Sequence, residues 1–121
     1  MIVGLGLDVV EVARVAQALA RHGERFLFRC FLPGELTRPH DPEHVAGLFA
    51  AKEAAFKALG TGWGEGVGWH DVVVERDAEG KPNLTFHGPA QERMQTLGAQ
   101  RVLVSITHTD HWAAAVVILS L

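Results

Sequence analysis

Glu53 and Lys57 stand four residues apart in Phe49-Ala50-Ala51-Lys52-Glu53-Ala54-Ala55-Phe56-Lys57, a stretch with helical patterning. Residues at that separation are neighbours on one helix face. Glu53 also shares or borders the apolar stripe, four residues after Phe49 and three before Phe56. A carboxylate there is costly to bury unless a cation neutralises it. Asp8 poses the same problem: it ends the apolar strand Gly4-Leu5-Gly6-Leu7-Asp8, whose same-face neighbours Gly4 and Gly6 have no side chains. Two partly buried carboxylates on separate elements, one beside open glycine backbone, imply a hard divalent cation and a phosphate-bearing ligand. Lys57 would hold a phosphate oxygen that the same cation touches. The plainer alternatives are a surface Glu53–Lys57 ion pair and, for Asp8, the N-cap of a helix starting near Val10 or Glu11. Glu11 could assist either role of Asp8. Lys52 points about 100° away from Glu53 and reads as solvated.

Other chemistry-bearing residues are less specific. The run Gly60-Thr61-Gly62-Trp63-Gly64-Glu65-Gly66-Val67-Gly68 has five glycines but follows a helix, and no Gly-Lys-Ser/Thr comes after it, so it is not a Walker loop. His108 and His111 form His-x-x-His, yet no third or fourth ligand has zinc spacing and Cys30 stands alone. His108 therefore reads as a polar turn histidine near a ligand. Nothing around Ser105 resembles a nucleophile elbow. Arg14, Arg21 and Arg25 fall at i, i+7 and i+11, one stripe if a single helix runs that far, and Arg29 continues the basic trend. Such a face could dock an acidic protein and steer its approach, although a solvated helix face is the default for any one arginine. Cys30 reads as a semi-buried small apolar residue.

The elements that must carry these residues follow from pattern and punctuation. Residues 2–9 read as a buried strand. Val10 to Arg21 read as a helix capped at Gly23, and residues 26–43 as irregular, broken by Pro33, Pro39 and Pro42. His44 to Leu59 is an alanine-rich helix ended by Gly60. Asp71–Arg76 and Asn83–Phe86 are strands around an Asp77–Gly80 turn, and Pro89–Leu97 is a helix ended by Gly98. Arg101–Thr107 and Trp112–Leu121 are apolar strands joined by His108–His111. That order gives a single α+β domain over residues 1–121 with a mainly antiparallel sheet.

Composition narrows the class. A chain of 121 residues, nearly half hydrophobic, holds one domain with a real core. A net charge of −3 argues against nucleic-acid binding through bulk charge. No apolar run is long enough to span a bilayer, and the start lacks the basic region and cleavage site of a signal peptide. One cysteine excludes an internal disulfide framework. A soluble, cytoplasmic protein is expected.

At this point the sequence resembles the holo-acyl-carrier-protein synthase family, the short bacterial type of 4′-phosphopantetheinyl transferase. The likeness runs through Gly4–Val9, Phe49–Ala54 with Lys57, Gly60-Thr61-Gly62, Asp71–Val74, Gly80-Lys81-Pro82, His87-Gly88 and Ser105-Ile106-Thr107-His108. Each piece is modestly specific; their order in so short a chain is highly specific. The resemblance implies transfer of phosphopantetheine from coenzyme A to a serine of apo acyl carrier protein, with release of adenosine 3′,5′-bisphosphate, in support of fatty acid biosynthesis. It implies magnesium held by Asp8 and Glu53, with Lys57 near the phosphates. Gly60, Gly62 and Gly64, with Thr107 and His108, would border the cofactor, His108 at its nucleotide end. The serine proton would go to Glu53 or to a metal-held water. It also implies a homotrimer with the cleft between subunits, and Arg14, Arg21 and Arg25 as the carrier-docking face.

Two positions depart from the family pattern. Leu48 stands where an arginine usually precedes Phe-Ala-Ala-Lys-Glu, leaving 3′-phosphate recognition to His44 or another basic residue. Thr107 replaces the commoner serine and keeps a hydroxyl. Leu48 motivates a competing expectation, a non-catalytic module that holds coenzyme A or a carrier protein. A third is a purely structural trimer whose polar residues are caps and ion pairs.

Overall fold

The computed structural model describes residues 1–60 and 66–121. Strand β1 (Ile2–Glu11) leads into helix α1 (Val12–His22), followed by α2 (Glu24–Cys30) and the long α3 (Pro42–Leu59). A short 3₁₀ turn (Trp69–Asp71) opens β2 (Val72–Arg76), which pairs with β3 (Pro82–Phe86). Helix α4 (Gly88–Thr96) precedes β4 (Arg101–His108) and β5 (Trp112–Ser120). The strands form two antiparallel sheets, one of three strands in the order β1-β5-β4 and the β2-β3 hairpin. The α+β class with antiparallel sheets is therefore as expected.

Helix α3 is the centre of the molecule. Asp41 caps its start by accepting from the Glu43 N–H, Pro42 sits in its first turn, and Gly60 closes it at φ 74°. Twelve of its residues are buried, so it presents apolar surface nearly all round, as a helix enclosed by other elements must. It lies on the inner face of the three-stranded sheet, against Ala113, Ala115, Val117 and Leu119 of β5.

Gly4 and Gly6 explain how closely β1 meets that helix. A Cβ at Gly6 would lie 1.8 Å from the Ala54 carbonyl oxygen, and one at Gly4 2.4 Å from that of Ala58. These glycines are covered by the α3 backbone and do not offer open backbone to a phosphate, which corrects the sequence reading. Asp8 is corrected too. The β1–β5 ladder continues past it to Glu11, which faces Trp112, so Asp8 lies inside the strand opposite Ala115 and caps nothing.

The stretch read as irregular begins with α2. Its turn buries Leu27 and Cys30 on one side, and no proline or glycine interrupts it. Gly23, at φ 53°, separates it from α1. The helix breaks there, so Arg14, Arg21 and Arg25 do not form one stripe: the first two belong to α1 and the third to α2.

Candidate active site

Asp8, Glu53 and Lys57 line one cleft of about 540 Å³, with Glu11 and Arg14 beside them and Val15, Phe26 and Phe49 among its apolar walls. Strand β1 supplies Asp8 and the less buried face of α3 supplies Glu53 and Lys57. Lys57 does not pair along the helix with Glu53. Its ammonium crosses to β1, donating to Asp8 Oδ1 at 3.1 Å and to the Leu7 carbonyl at 3.0 Å. Burial holds the Glu53 carboxyl above the ordinary carboxylate range; the Asp8 charge adds to this, and Lys57 opposes it. The two carboxylates thus feel one another.

This donor set fits a hard divalent cation. Among the described residues no three His, Cys, Asp or Glu side chains are placed to hold one metal ion together. Magnesium, however, keeps several waters and commonly takes only one or two carboxylates. A positive group already seated on Asp8, the Lys57 ammonium, marks the position where positive charge is stabilised.

His108 lies elsewhere. Its Nδ1 is 3.4 Å from Glu43 Oε2 at the first turn of α3. It lines a second cavity of about 260 Å³ together with Arg38, His44, Leu48, Arg76 and Ile106. The sheet register explains the separation. Asp8 pairs with Ala115, which pairs with Ile106; two residues on, Val10, Ala113 and His108 align. Asp8 and His108 are on edge strands with β5 between them, so their strands lie roughly 10 Å apart and the two residues are further offset by two positions along the strands. Thr107, next to His108, projects to the opposite face and is exposed. The residues expected around one cofactor therefore occupy two cavities of a single chain. Gly60 is the C-cap of α3, while Gly62 and Gly64 lie outside the described residues.

The second cavity bears on the missing arginine. Leu48 is almost fully buried, and Arg38 and Arg76 supply positive charge around it. His44 Nε2 accepts from the Thr37 N–H at 3.2 Å, and burial followed by the nearby arginines holds its pKa below the ordinary histidine value. Arg38 and Arg76 were not singled out in the sequence: each is an isolated arginine on a loop or hairpin, without periodicity to mark it.

Lys52 corrects another expectation. It is fully buried. Its ammonium meets Glu35 Oε1 at 2.9 Å, the Cys30 carbonyl at 2.7 Å and the Trp69 carbonyl at 3.1 Å, and lies 4.8 Å from the centre of the Phe31 ring. Glu35 also accepts from the Val74 N–H and, through its carbonyl, from Arg76. The direction 100° from Glu53 points into another packed wall because α3 has almost no solvent side. Cys30 is buried as well, and burial pushes its thiol up to about 11, which suits a packing residue. Arg14 borders the cleft, whereas Arg25 and Arg29 line a shallow surface pocket with His22 and Phe26.

Residues 4–117 match the model of the 4′-phosphopantetheinyl transferase superfamily, and the chain belongs to that family. Within it, the chain is similar to proteins named holo-[acyl-carrier-protein] synthase. That of Solidesulfovibrio magneticus is 53% identical over 98% of both chains, and that of Koribacter versatilis 47% identical over 98% of both. The crystal structure of the Helicobacter pylori synthase in complex with coenzyme A superposes with a TM-score of 0.85 at 32% identity, covering 96% of this chain and 99% of that one.

Proposed function

We propose that this protein is a magnesium-dependent holo-acyl-carrier-protein synthase. It transfers 4′-phosphopantetheine from coenzyme A to a serine hydroxyl of apo acyl carrier protein and serves fatty acid biosynthesis in the cytoplasm. The observation that carries this reading is the convergence of Asp8, Glu53 and Lys57 on one cleft in a chain whose relatives are synthases along nearly its full length. The serine oxygen attacks the phosphorus next to the pantetheine arm, the bond to the adenylate-side phosphate breaks, and adenosine 3′,5′-bisphosphate leaves. The hydroxyl proton passes to Glu53 or to a water in the cleft. Asp8 and Glu53 would hold the magnesium ion, which supplies charge neutralisation on the phosphoryl oxygens. Lys57 adds a fixed positive charge beside them.

A homotrimer with sites between subunits goes with the two cavities. Phosphate chemistry is on the β1 edge and His108 on the β4 edge, so a head-to-tail ring of copies brings one edge to the other. The outer face of the sheet supports this. Leu5, Ile118 and Leu103 share one row and Leu7, Val116 and Ser105 the next, with Leu5 and Leu7 about 60% exposed. Uncovered apolar sheet of this kind marks an association surface. The His108 cavity would take the nucleotide end of coenzyme A, with Arg38 and Arg76 in place of the arginine that Leu48 replaces. Gly60, Gly62, Gly64 and Thr107 remain proposed cofactor contacts, and Arg14, Arg21 and Arg25 proposed carrier contacts. Because the docking arginines lie on two helices, they would grip the carrier from two directions.

The test is incubation of the protein with magnesium, coenzyme A and apo acyl carrier protein, with the carrier weighed intact. A gain of one phosphopantetheine, lost with chelator, is expected. Failure with several carriers on which another synthase succeeds would instead favour a non-catalytic binding module.

A further inference from the structure

We infer that Lys57 is a mobile cation that competes with the metal for Asp8 and passes to the donor's phosphates when the metal binds. This rests on the magnesium reading above and deepens it. Three observations carry it. The Lys57 ammonium is already on Asp8 Oδ1, at 3.1 Å, and a divalent ion needs the same carboxylate. Asp8 is held in place, its side chain 15% exposed within a paired strand, whereas the Lys57 side chain is 53% exposed and, among the described residues, its other partner is the Leu7 carbonyl. Of the two, the lysine is free to leave, because an exposed ion pair on a flexible four-carbon stem is weakly held. Lastly, with Lys57 on Asp8, Glu53 has no ion pair among the described residues, and its carboxylate lines the cleft.

The consequence is coupling. An anionic donor that attracts Lys57 uncovers Asp8 and so raises metal affinity; by reciprocity the metal raises donor affinity by the same factor. Lys52 takes no part, because its ammonium is locked among three acceptors in the interior.

The experiment follows the Lys57 ammonium by ¹⁵N NMR during magnesium titration, alongside manganese binding by electron paramagnetic resonance with and without coenzyme A. Magnesium alone should move the Lys57 signal and speed its proton exchange with water. Lys57→Met should bind manganese roughly five- to tenfold tighter without coenzyme A and lose most of the enhancement that coenzyme A confers. Arg14→Met, which removes a different cation from the same cleft, distinguishes competition from a general field effect: equal tightening in both variants overturns the proposal. Metal binding with an unmoved Lys57 signal overturns it too, and leaves the transferase reading intact. No metal binding at all removes the magnesium reading and this inference with it.

Discussion

Lys52 and Lys57 belong to the same helix, yet one is enclosed by the core and the other reaches over open solvent. Around Lys52 the polar partners are buried or half-buried: Glu35, the carbonyls of Cys30 and Trp69, and through Glu35 the N–H of Val74. Around Lys57 there is a cleft, with one carboxylate and one carbonyl as partners among the described residues. The first cation pins α3 to the segment after α2, the 3₁₀ turn and β2. The second can exchange partners. Removing one member of a buried pair strands a charge, so the Lys52 region should govern stability. An exposed pair contributes little to folding, so the Lys57 region is open to be used for chemistry.

The sharpest test of that contrast is on the cleft side. Glu53→Gln should reduce phosphopantetheine transfer by about 10²–10³-fold while leaving the thermal transition in place. Near-native turnover would show that Glu53 does not hold the metal. On the buried side, Lys52→Met should lower unfolding stability by about 3–5 kcal/mol in urea titrations. Adding Glu35→Gln should recover part of that loss, because the stranded charge goes; a single variant as stable as the parent would erase the contrast. Gly6→Ala probes the contact that brings Asp8 up to α3. A Cβ cannot sit 1.8 Å from the Ala54 oxygen, so strand and helix must part, at about 2 kcal/mol or more. Weaker metal binding should accompany that loss, and calorimetry would measure both.

The second cavity should give smaller effects. Arg76→Ala is expected to raise the Michaelis constant for coenzyme A by about tenfold, with turnover changed less. His44 should give the smallest. Its folded pKa is depressed, so the unfolded chain takes up a proton first as pH falls. Its contribution is therefore intact above the ordinary histidine value of 6.5 and turns destabilising as pH drops below it. His44→Gln should flatten that part of a stability–pH curve, and an unchanged curve would place the titration elsewhere.

Much of the molecule is legible in its sequence. The strand and helix order from β2 to β5 follows from alternation, breakers and caps, as does the alanine-rich helix that ends at Gly60. The short helix α2 was missed because prolines downstream outweighed a seven-residue stretch that contains none. Asp8, Glu53 and Lys57 are singled out by residue type and spacing, and the structure brings them to one cleft. Spacing along a helix could not say that Lys57 would prefer a carboxylate from a strand some fifty positions earlier. Nor could it distinguish Lys52 from a surface lysine, since its partner Glu35 comes from a loop that carries no periodic signal.

Sequence alone determined most of the elements and the chemical character of the candidate site, because periodicity, caps and charged residues in apolar runs act locally. It also determined the family, through motifs in fixed order along the whole chain. Tertiary structure decided which cation meets which carboxylate, and that Gly4 and Gly6 are there for helix contact. It also decided that His108 and Asp8 occupy opposite edges of one sheet. Those outcomes depend on strand register and on the packing of α3, which are set by contacts between residues far apart in the chain.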